Sequence, residues 1–531
     1  MADRYDAVVV GSGFGGAVVA ARLAEAGRSV CVLERGRRWA PREFPRSFAR
    51  IRQAVWDPSA SYGFLDYRVF RRIDVIQGCG VGGGSLQYFN VQLRTPPEIF
   101  SRPEWPEPFS RALLDPHYDR VQDVVEAAPL VPPEGEQMPG RARAFLAGAA
   151  RAGFAAELVP LAVHTGPTRA NPVSGRIQEP CDFNADCLIG CRTAAKNNLD
   201  VTFIPMGERH GMELRPLHQA ERIRPAEGGG YTVVARRYDP AQPGRFDRCE
   251  VTGSVLVLSA GTLGSTELLL RARDVDRTLP RLPASVGRYF SGNGDMIFAG
   301  AGGTDEEVDP SHGPSITVGA LVQRPGSPYL ITLQDLGFPP TVTSILDEVM
   351  LTGAKLGSIW RALSSYVGAV RGRRRFAAEE LFLGSPIPHS LPYLGMGTDA
   401  RDGVFSIAPD GQLVLAWDPA ASMGMFAEME AAMKAMSEGL GGHYVPSLLW
   451  RRPFRHLLTA HPLGGCAMGS SAALGVVDHR GQVWGHPGLY VADGSVIPGP
   501  LAVNPSMTIA ALADRIAYWM LHDREITGSG S

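Results

Sequence analysis

The apolar positions of this chain fall into short unbroken runs separated by long irregular stretches rich in glycine and proline. Ala7-Val8-Val9-Val10 is wholly apolar and mostly β-branched, the pattern of a strand buried on both faces. Ala17 to Ala26 follows as an Ala-rich segment with Val18 and Leu23 on one side, which predicts a helix packed on a sheet. Gly27 is placed to stop that helix, and Ser29 to Leu33 reads as a second buried strand ending at Glu34. Further strands are predicted at Ile73–Gln77, Glu213–Leu217, Tyr231–Ala235, Val255–Ser259, Leu330–Asp335 and Leu489–Val491. Helices are predicted at Asp115–Ala127, with Asp115-Pro116 as its start, at Thr266–Arg271, at Ser344–Tyr366, and from Pro505 onward.

Gly11, Gly13 and Gly16 stand between the first strand and the first helix at G-x-G-x-x-G spacing. Gly11 permits the tight turn, Gly13 lets the backbone approach a pyrophosphate, and Gly16 lets helix and strand close on each other. The helix start offers free N–H groups and the positive end of its dipole to phosphate. Glu34 lies about 20 residues on, where an acid accepts hydrogen bonds from an adenosine ribose. An acid there disfavours NADP, whose 2′-phosphate it would repel, and leaves NAD and FAD both open.

Composition narrows the class. At 531 residues the chain is long enough for more than one structural unit. Its 62 Gly and 42 Pro, against 44% hydrophobic residues, fit a loop-rich globular enzyme rather than a disordered chain. A formal net charge of -2 lacks the basic footprint of a nucleic-acid binder. Seven scattered Cys do not make a disulfide framework. No apolar run is long enough to span a bilayer, and the chain enters a strand within a few residues, leaving no room for a signal peptide. The expectation is a cytoplasmic protein without a transmembrane segment. Gly528-Ser529-Gly530-Ser531 reads as an appended linker. Arg37, Arg38, Pro41, Arg42 and Pro45 form a basic, irregular stretch, read either as a loop near the cofactor or as a solvated surface loop. Arg371 to Arg375 reads as a solvated basic turn.

A second glycine segment, Gly78-Cys79-Gly80-Val81-Gly82-Gly83-Gly84-Ser85, follows the strand Ile73–Gln77 and lets the backbone pass close to something flat or charged. With the G-x-G-x-x-G opening and the terminal acid, this segment resembles the glucose–methanol–choline oxidoreductases, in the branch that contains the cholesterol oxidases. The resemblance implies a discontinuous, Rossmann-like FAD-binding domain of α/β class, joined to an α+β substrate-binding domain built on an antiparallel sheet. It assigns residues 1–105, 195–300 and 455–527 to the first and 106–194 and 301–454 to the second and its connections. It implies FAD contacts at Gly11, Gly13, Phe14, Gly15, Gly16, Glu34 and Arg35, and at Gly78, Gly80, Gly82, Gly83 and Ser85 of the second segment. The family often carries Asn shortly after; here the position holds Tyr88, with Asn90 nearby. Ala260 and Gly261 close the returning strand beside the adenosine, and Asp493-Gly494 face the pyrophosphate and ribityl chain. Pro505 and Met507 open the last helix, whose N-terminus stabilises negative charge at the flavin edge.

Oxidising an alcohol removes a hydroxyl proton and a hydride from one carbon, so a polar group must hold the hydroxyl and take its proton. Imidazole suits this because its pKa lies near neutrality. Thr459-Ala460-His461-Pro462-Leu463-Gly464-Gly465-Cys466 resembles the active-site His segment of the family, which makes His461 the implied base or hydroxyl anchor. Asn504 matches the residue that faces the hydroxyl or flavin beside that His; its amide can donate or accept but cannot act as a base. Cholesterol oxidases carry a catalytic Glu near Leu330–Asp335, where this chain offers Gln334 or Asp335. If Gln334 fills the place, the base for steroid double-bond isomerisation is missing.

Cys181, Cys187 and Cys191 admit a zinc or iron–sulfur reading, but neither common spacing fits and no fourth ligand is evident, so a structural loop without metal is expected. The apolar Ser344–Tyr366 pattern suits a lid admitting a hydrophobic substrate, or a core or dimer helix. The function expected is FAD-dependent oxidation of a hydrophobic, sterol-like or secondary-metabolite alcohol by hydride transfer to flavin N5, with oxygen or another acceptor completing the cycle. The alternatives are a flavin enzyme of the same family without net redox chemistry, catalysing elimination, isomerisation or decarboxylation, and an NAD-dependent dehydrogenase.

Overall fold

The computed structural model describes residues 3–45, 53–107, 109–339, 387–447, 450 and 455–522. The expected helix Ser344–Tyr366, the basic cluster Arg371–Arg375 and the terminal linker lie outside the described residues.

Asp3–Val10 lies at the centre of a seven-stranded sheet. It runs parallel to Val30–Leu33 on one side and to Phe246–Leu258 on the other, with Val8 opposite both Cys31 and Leu256. Both faces of this strand are covered, which is why it reads as continuous Val rather than as an alternation. The apolar run expected at Val255–Ser259 forms, up to Leu258, the inner end of the 13-residue strand Phe246–Leu258. Its polar first half pairs antiparallel with Tyr231–Tyr238, and its buried end pairs parallel with Leu489–Val491. The sheet therefore draws strands from the beginning, middle and end of the chain.

The helix after the first glycine loop is Phe14–Glu25, starting earlier than Ala17 because Gly13 itself supplies the extended cap residue. Two other helix starts differ from expectation. Arg111–Val125 begins where Ser110 Oγ accepts from Leu113 N at 3.2 Å, so Pro116 lies inside the helix instead of opening it. Gly261–Leu270 begins at Gly261 rather than Thr266, because Ser265 Oγ accepts from Ala260 N at 3.0 Å and closes the first turn.

A second, six-stranded antiparallel sheet runs in the order His443–Val445, Met296–Gly302, Ser390–Gly397, Ile331–Asp335, Val318–Val322 and Ala156–Leu158. Helices Gly140–Arg151 and Met423–Gly439 cover one face. Side chains alternate across a strand, so neighbouring residues of Ile331–Asp335 face opposite ways. Asp335 turns toward the helices, where its carboxylate lies 2.9 Å from Arg141 Nε with both side chains fully buried. Gln334 turns to the other face beside Leu394.

The third relevant pairing is small. Leu457–Thr459 runs parallel to Ile73–Val75, Leu457 opposite Ile73 and Thr459 opposite Val75. Parallel strands leave a sheet at the same end, so the second glycine segment and the His461 segment emerge side by side.

Candidate active site

The two glycine segments meet directly. A Cβ on Gly83 would lie 2.7 Å from Gly13 Cα, closer than any side chain tolerates. Glu34 joins them. One carboxylate oxygen accepts from Ser12 N at 3.0 Å and Ser12 Oγ at 2.7 Å, and the other from Gly36 N at 2.9 Å and Gly80 N at 3.1 Å. The acid expected to receive a ribose is thus also the clasp that holds both loops in register.

These loops form one wall of a cavity of about 530 Å³. Gly11, Gly13, Phe14, Gly15, Glu34, Arg35, Gly78, Gly83, Ala260, Gly261, Asp493, Gly494, Asn504, Pro505 and His461 all line it. Gly16, Gly80, Gly82, Ser85 and Met507 do not: they stand behind the lining and shape it. Ser85 Oγ, for example, donates to Gly82 O at 2.7 Å and accepts from Leu199 N at 3.0 Å. Asp493 receives Ser265 Oγ, Ser495 N and Ser495 Oγ, and burial raises the pKa of its carboxyl against those bonds. Arg35 donates to Asp66 at 2.7 Å; burial alone would raise the Asp66 pKa, but Arg35 and Arg68 hold it down at about 2.

Three helices, Phe14–Glu25, Gly261–Leu270 and Ser506–His522, start at this cavity. Their dipoles favour an electron-rich group there. A side chain on Gly13 or Gly84 would project into the open space, its nearest contact no closer than 3.9 Å in either case. This bare backbone, convergent helix starts and an acid-ended second strand fit a dinucleotide laid along the cavity.

Tyr88 lines the cavity edge-on to Phe14, with ring centroids 5.3 Å apart, and burial keeps its hydroxyl protonated. Asn90 is turned away: it adopts a positive φ of 67° and donates to Cys187 Sγ at 3.3 Å. Lys196, buried, donates to Leu86 O, Tyr88 O and Cys187 O at 3.1, 2.8 and 2.9 Å, pinning the second glycine segment to the Cys181–Cys191 loop. Among the described residues no group of His, Cys, Asp and Glu is arranged to hold a metal ion.

His461 and Asn504 both reach the cavity. His461 Nδ1 lies 2.8 Å from Asp295 Oδ1. The other oxygen of Asp295 accepts from Thr459 Oγ1 at 2.8 Å and Ala460 N at 3.0 Å, so the carboxylate holds backbone and ring together. With a carboxylate at Nδ1, the imidazole carries its proton there and presents Nε2 as a base. Asn504 Oδ1 accepts from Gln334 Nε2 at 2.8 Å. That bond occupies the amide oxygen and leaves Nδ2 as the group available to donate. Asp295 and the Gln334 bond escape sequence reading, because 166 and 170 residues separate the partners.

An oriented imidazole and a fixed carboxamide thus share one cavity with the two glycine segments. The chain belongs to the GMC oxidoreductases: the N-terminal model of that family matches residues 5–273 and the C-terminal model residues 420–513. It is similar to cholesterol oxidase of Mycobacterium tuberculosis, at 29% identity over 97% of this chain and 91% of that one. Cholesterol oxidase of Acinetobacter baumannii is 29% identical over 96% of this chain and 93% of its own. Among solved structures, pyridoxine 4-oxidase from Mesorbium loti shares the fold, with a TM-score of 0.60 at 19% identity over 97% of this chain and 99% of that one. Among the described residues no helix is long and apolar enough to cross a membrane.

Proposed function

We propose that this enzyme oxidises the hydroxyl group of a hydrophobic alcohol, sterol-like or a cyclic secondary metabolite, with FAD held along the cavity. The observation that carries this reading is the pairing of His461, backed by Asp295, with Asn504, fixed by Gln334, on the wall of one cavity. His461 Nε2 takes the hydroxyl proton, and the Asp295 carboxylate stabilises the imidazolium that results. Asn504 Nδ2 donates to the hydroxyl oxygen and orients the carbon bearing the hydride. When bound, FAD supplies the acceptor for that hydride. Tyr88, Phe89, Ile297, Phe298 and Leu394 give the apolar walls that hold the carbon skeleton and exclude water. The loops around Gly11, Gly13, Gly15, Gly83, Gly261 and Gly494 would cradle the dinucleotide, and residues 1–105, 195–300 and 455–527 would form the part that binds it.

Gln334 occupies the strand position that faces Asn504, whereas Asp335 is committed to Arg141. No carboxylate base therefore stands beside Asn504 on this strand, which favours oxidation without an accompanying double-bond shift. Oxygen or another acceptor completes the cycle. Seven cysteines without a disulfide among them support a reducing, cytoplasmic setting. Anaerobic mixing with sterol, long-chain and aryl alcohols tests the reading. Bleaching of the flavin absorbance by one of these classes supports it. Product formed from a substrate with no bleaching would replace it with chemistry lacking net redox change.

A further inference from the structure

Ser291-Gly292-Asn293-Gly294-Asp295 forms the turn between strands Arg288–Phe290 and Met296–Gly302. The cavity lining excludes this turn, yet its side chains bond His461 and the backbone just before Asn504. At one end Asp295 grips His461 Nδ1, Thr459 Oγ1 and Ala460 N. Two residues earlier, Asn293 is wholly buried and grips the segment that delivers Asn504. Its Oδ1 accepts from Leu501 N at 2.8 Å and Ala502 N at 3.0 Å, and its Nδ2 donates to Val503 O at 2.9 Å. Ala502 is held at a φ of 57°, which an alanine adopts only under external restraint.

The turn is itself anchored from behind. Ser291 Oγ donates to Asp399 Oδ1, Gly292 N donates to Asp399 Oδ2 at 3.1 Å, and Asn293 N donates to Ser291 Oγ at 2.9 Å. Ser291 and Leu463 exchange backbone bonds just past His461, at 3.1 and 3.0 Å. Thr459 Oγ1 also contacts Gly292 O at 3.0 Å.

We propose that this turn is the joint positioning element of the site: Asn293 sets where the Asn504 carboxamide stands, Asp295 sets the His461 ring, and their spacing within one turn fixes the distance between the two. Neither residue touches the reacting atoms; each acts through its partner. The kinetic part rests on the alcohol oxidation proposed above, and the structural part does not.

The test uses the flavin-loaded enzyme and Asn293→Gly, which removes all three side-chain bonds while tolerating the observed φ of 56°. Its crystal structure is expected to show the Asn504 carboxamide displaced by about 1 Å or more with His461 in place. Anaerobic flavin reduction should slow by on the order of 10–100-fold in the otherwise native enzyme, the scale of an ångström misplacement. In an Asn504→Ala background the same change should cost less than about 2-fold, because its intermediary is already gone. An unmoved carboxamide, or equal losses in both backgrounds, would overturn the proposal. If Asn293→Gly does not fold, Asn293→Asp, which keeps both accepting bonds and loses only the donated one, is read the same way. Full activity in His461→Ala and Asn504→Ala would sink the proposed reaction, while the displacement would still decide the positioning role.

Discussion

His461 Nδ1 stands 2.8 Å from Asp295 Oδ1, although 166 residues of chain separate them. The pair works because the other oxygen of Asp295 is held by Thr459 Oγ1 and Ala460 N, so the carboxylate stands fixed where it meets the ring. In Asp295→Asn the amide fits the same space but no longer selects the Nδ1–H tautomer or stabilises the imidazolium. Flavin reduction is expected to fall by about 100-fold or more, with flavin content unchanged. A rate within about 2-fold of the native one would show that the carboxylate does not act through His461.

Gln334 directs Asn504 by donating to its Oδ1, which leaves Nδ2 as the donor that the proposed reaction uses. In Gln334→Leu that bond is lost and a buried amide oxygen is left without a donor, at a cost of about 1–3 kcal/mol. The efficiency kcat/KM should drop by about 10-fold, and an unchanged value would mean that Asn504 is oriented by something else. Gln334→Glu should do no better where its carboxyl is ionised, since a carboxylate cannot donate.

Arg141 and Asp335 form a fully buried ion pair between helix Gly140–Arg151 and strand Ile331–Asp335. Asp335 also accepts from Thr317 N at 2.7 Å and Val318 N at 2.8 Å. Burial raises the pKa of its carboxyl, and Arg141 opposes that rise. Replacing Arg141 with Met strands a buried charge and should destabilise the protein by about 3–5 kcal/mol in urea unfolding. The double replacement with Asp335→Asn, whose amide oxygen still accepts from Thr317 N and Val318 N, should recover most of the loss. Additive losses would contradict the coupling.

Asp399 anchors the turn that carries Asn293 and Asp295. Burial, with a contribution from the nearby Asp295 charge, raises its pKa from 3.8 to about 7 against the hydrogen bonds it accepts from Ser291, Gly292 and Gly294. Between those two values the folded protein keeps a proton that the unfolded chain has already lost. Stability from this group is therefore complete below 3.8 and is lost as pH rises toward about 7. Asp399→Asn should flatten the decline in unfolding free energy across that window. A slope identical to that of the native protein would show that Asp399 does not titrate there.

The Rossmann-like core was legible because its determinants are local: an unbroken Val run, three glycines at fixed spacing and an acid after the second strand lie within residues 7–34. His461 and Asn504 could be marked because each sits in a recognisable segment. What could not be read is what long-range packing decides. Alternation alone does not say whether Gln334 or Asp335 turns toward Asn504; the buried Arg141, nearly 200 residues upstream, claims Asp335 and leaves Gln334 to bond Asn504. Glu34 was readable as a ribose acceptor but not as a four-bond clasp, because Gly80 reaches it from the second glycine segment, 46 residues on. Helix starts were misplaced where a serine hydroxyl, the Ser110 cap or Ser265 within the first turns, outweighed the proline or threonine signal nearby.

In the proposed reaction His461 removes the hydroxyl proton as the substrate carbon gives up its hydride. Anaerobic mixing of the flavin-loaded native enzyme and His461→Ala with the best alcohol of the panel tests it most directly. Bleaching of the native flavin is expected, with a rate at least about 100-fold lower in His461→Ala and flavin still bound. Equal bleaching rates in the two proteins would contradict it.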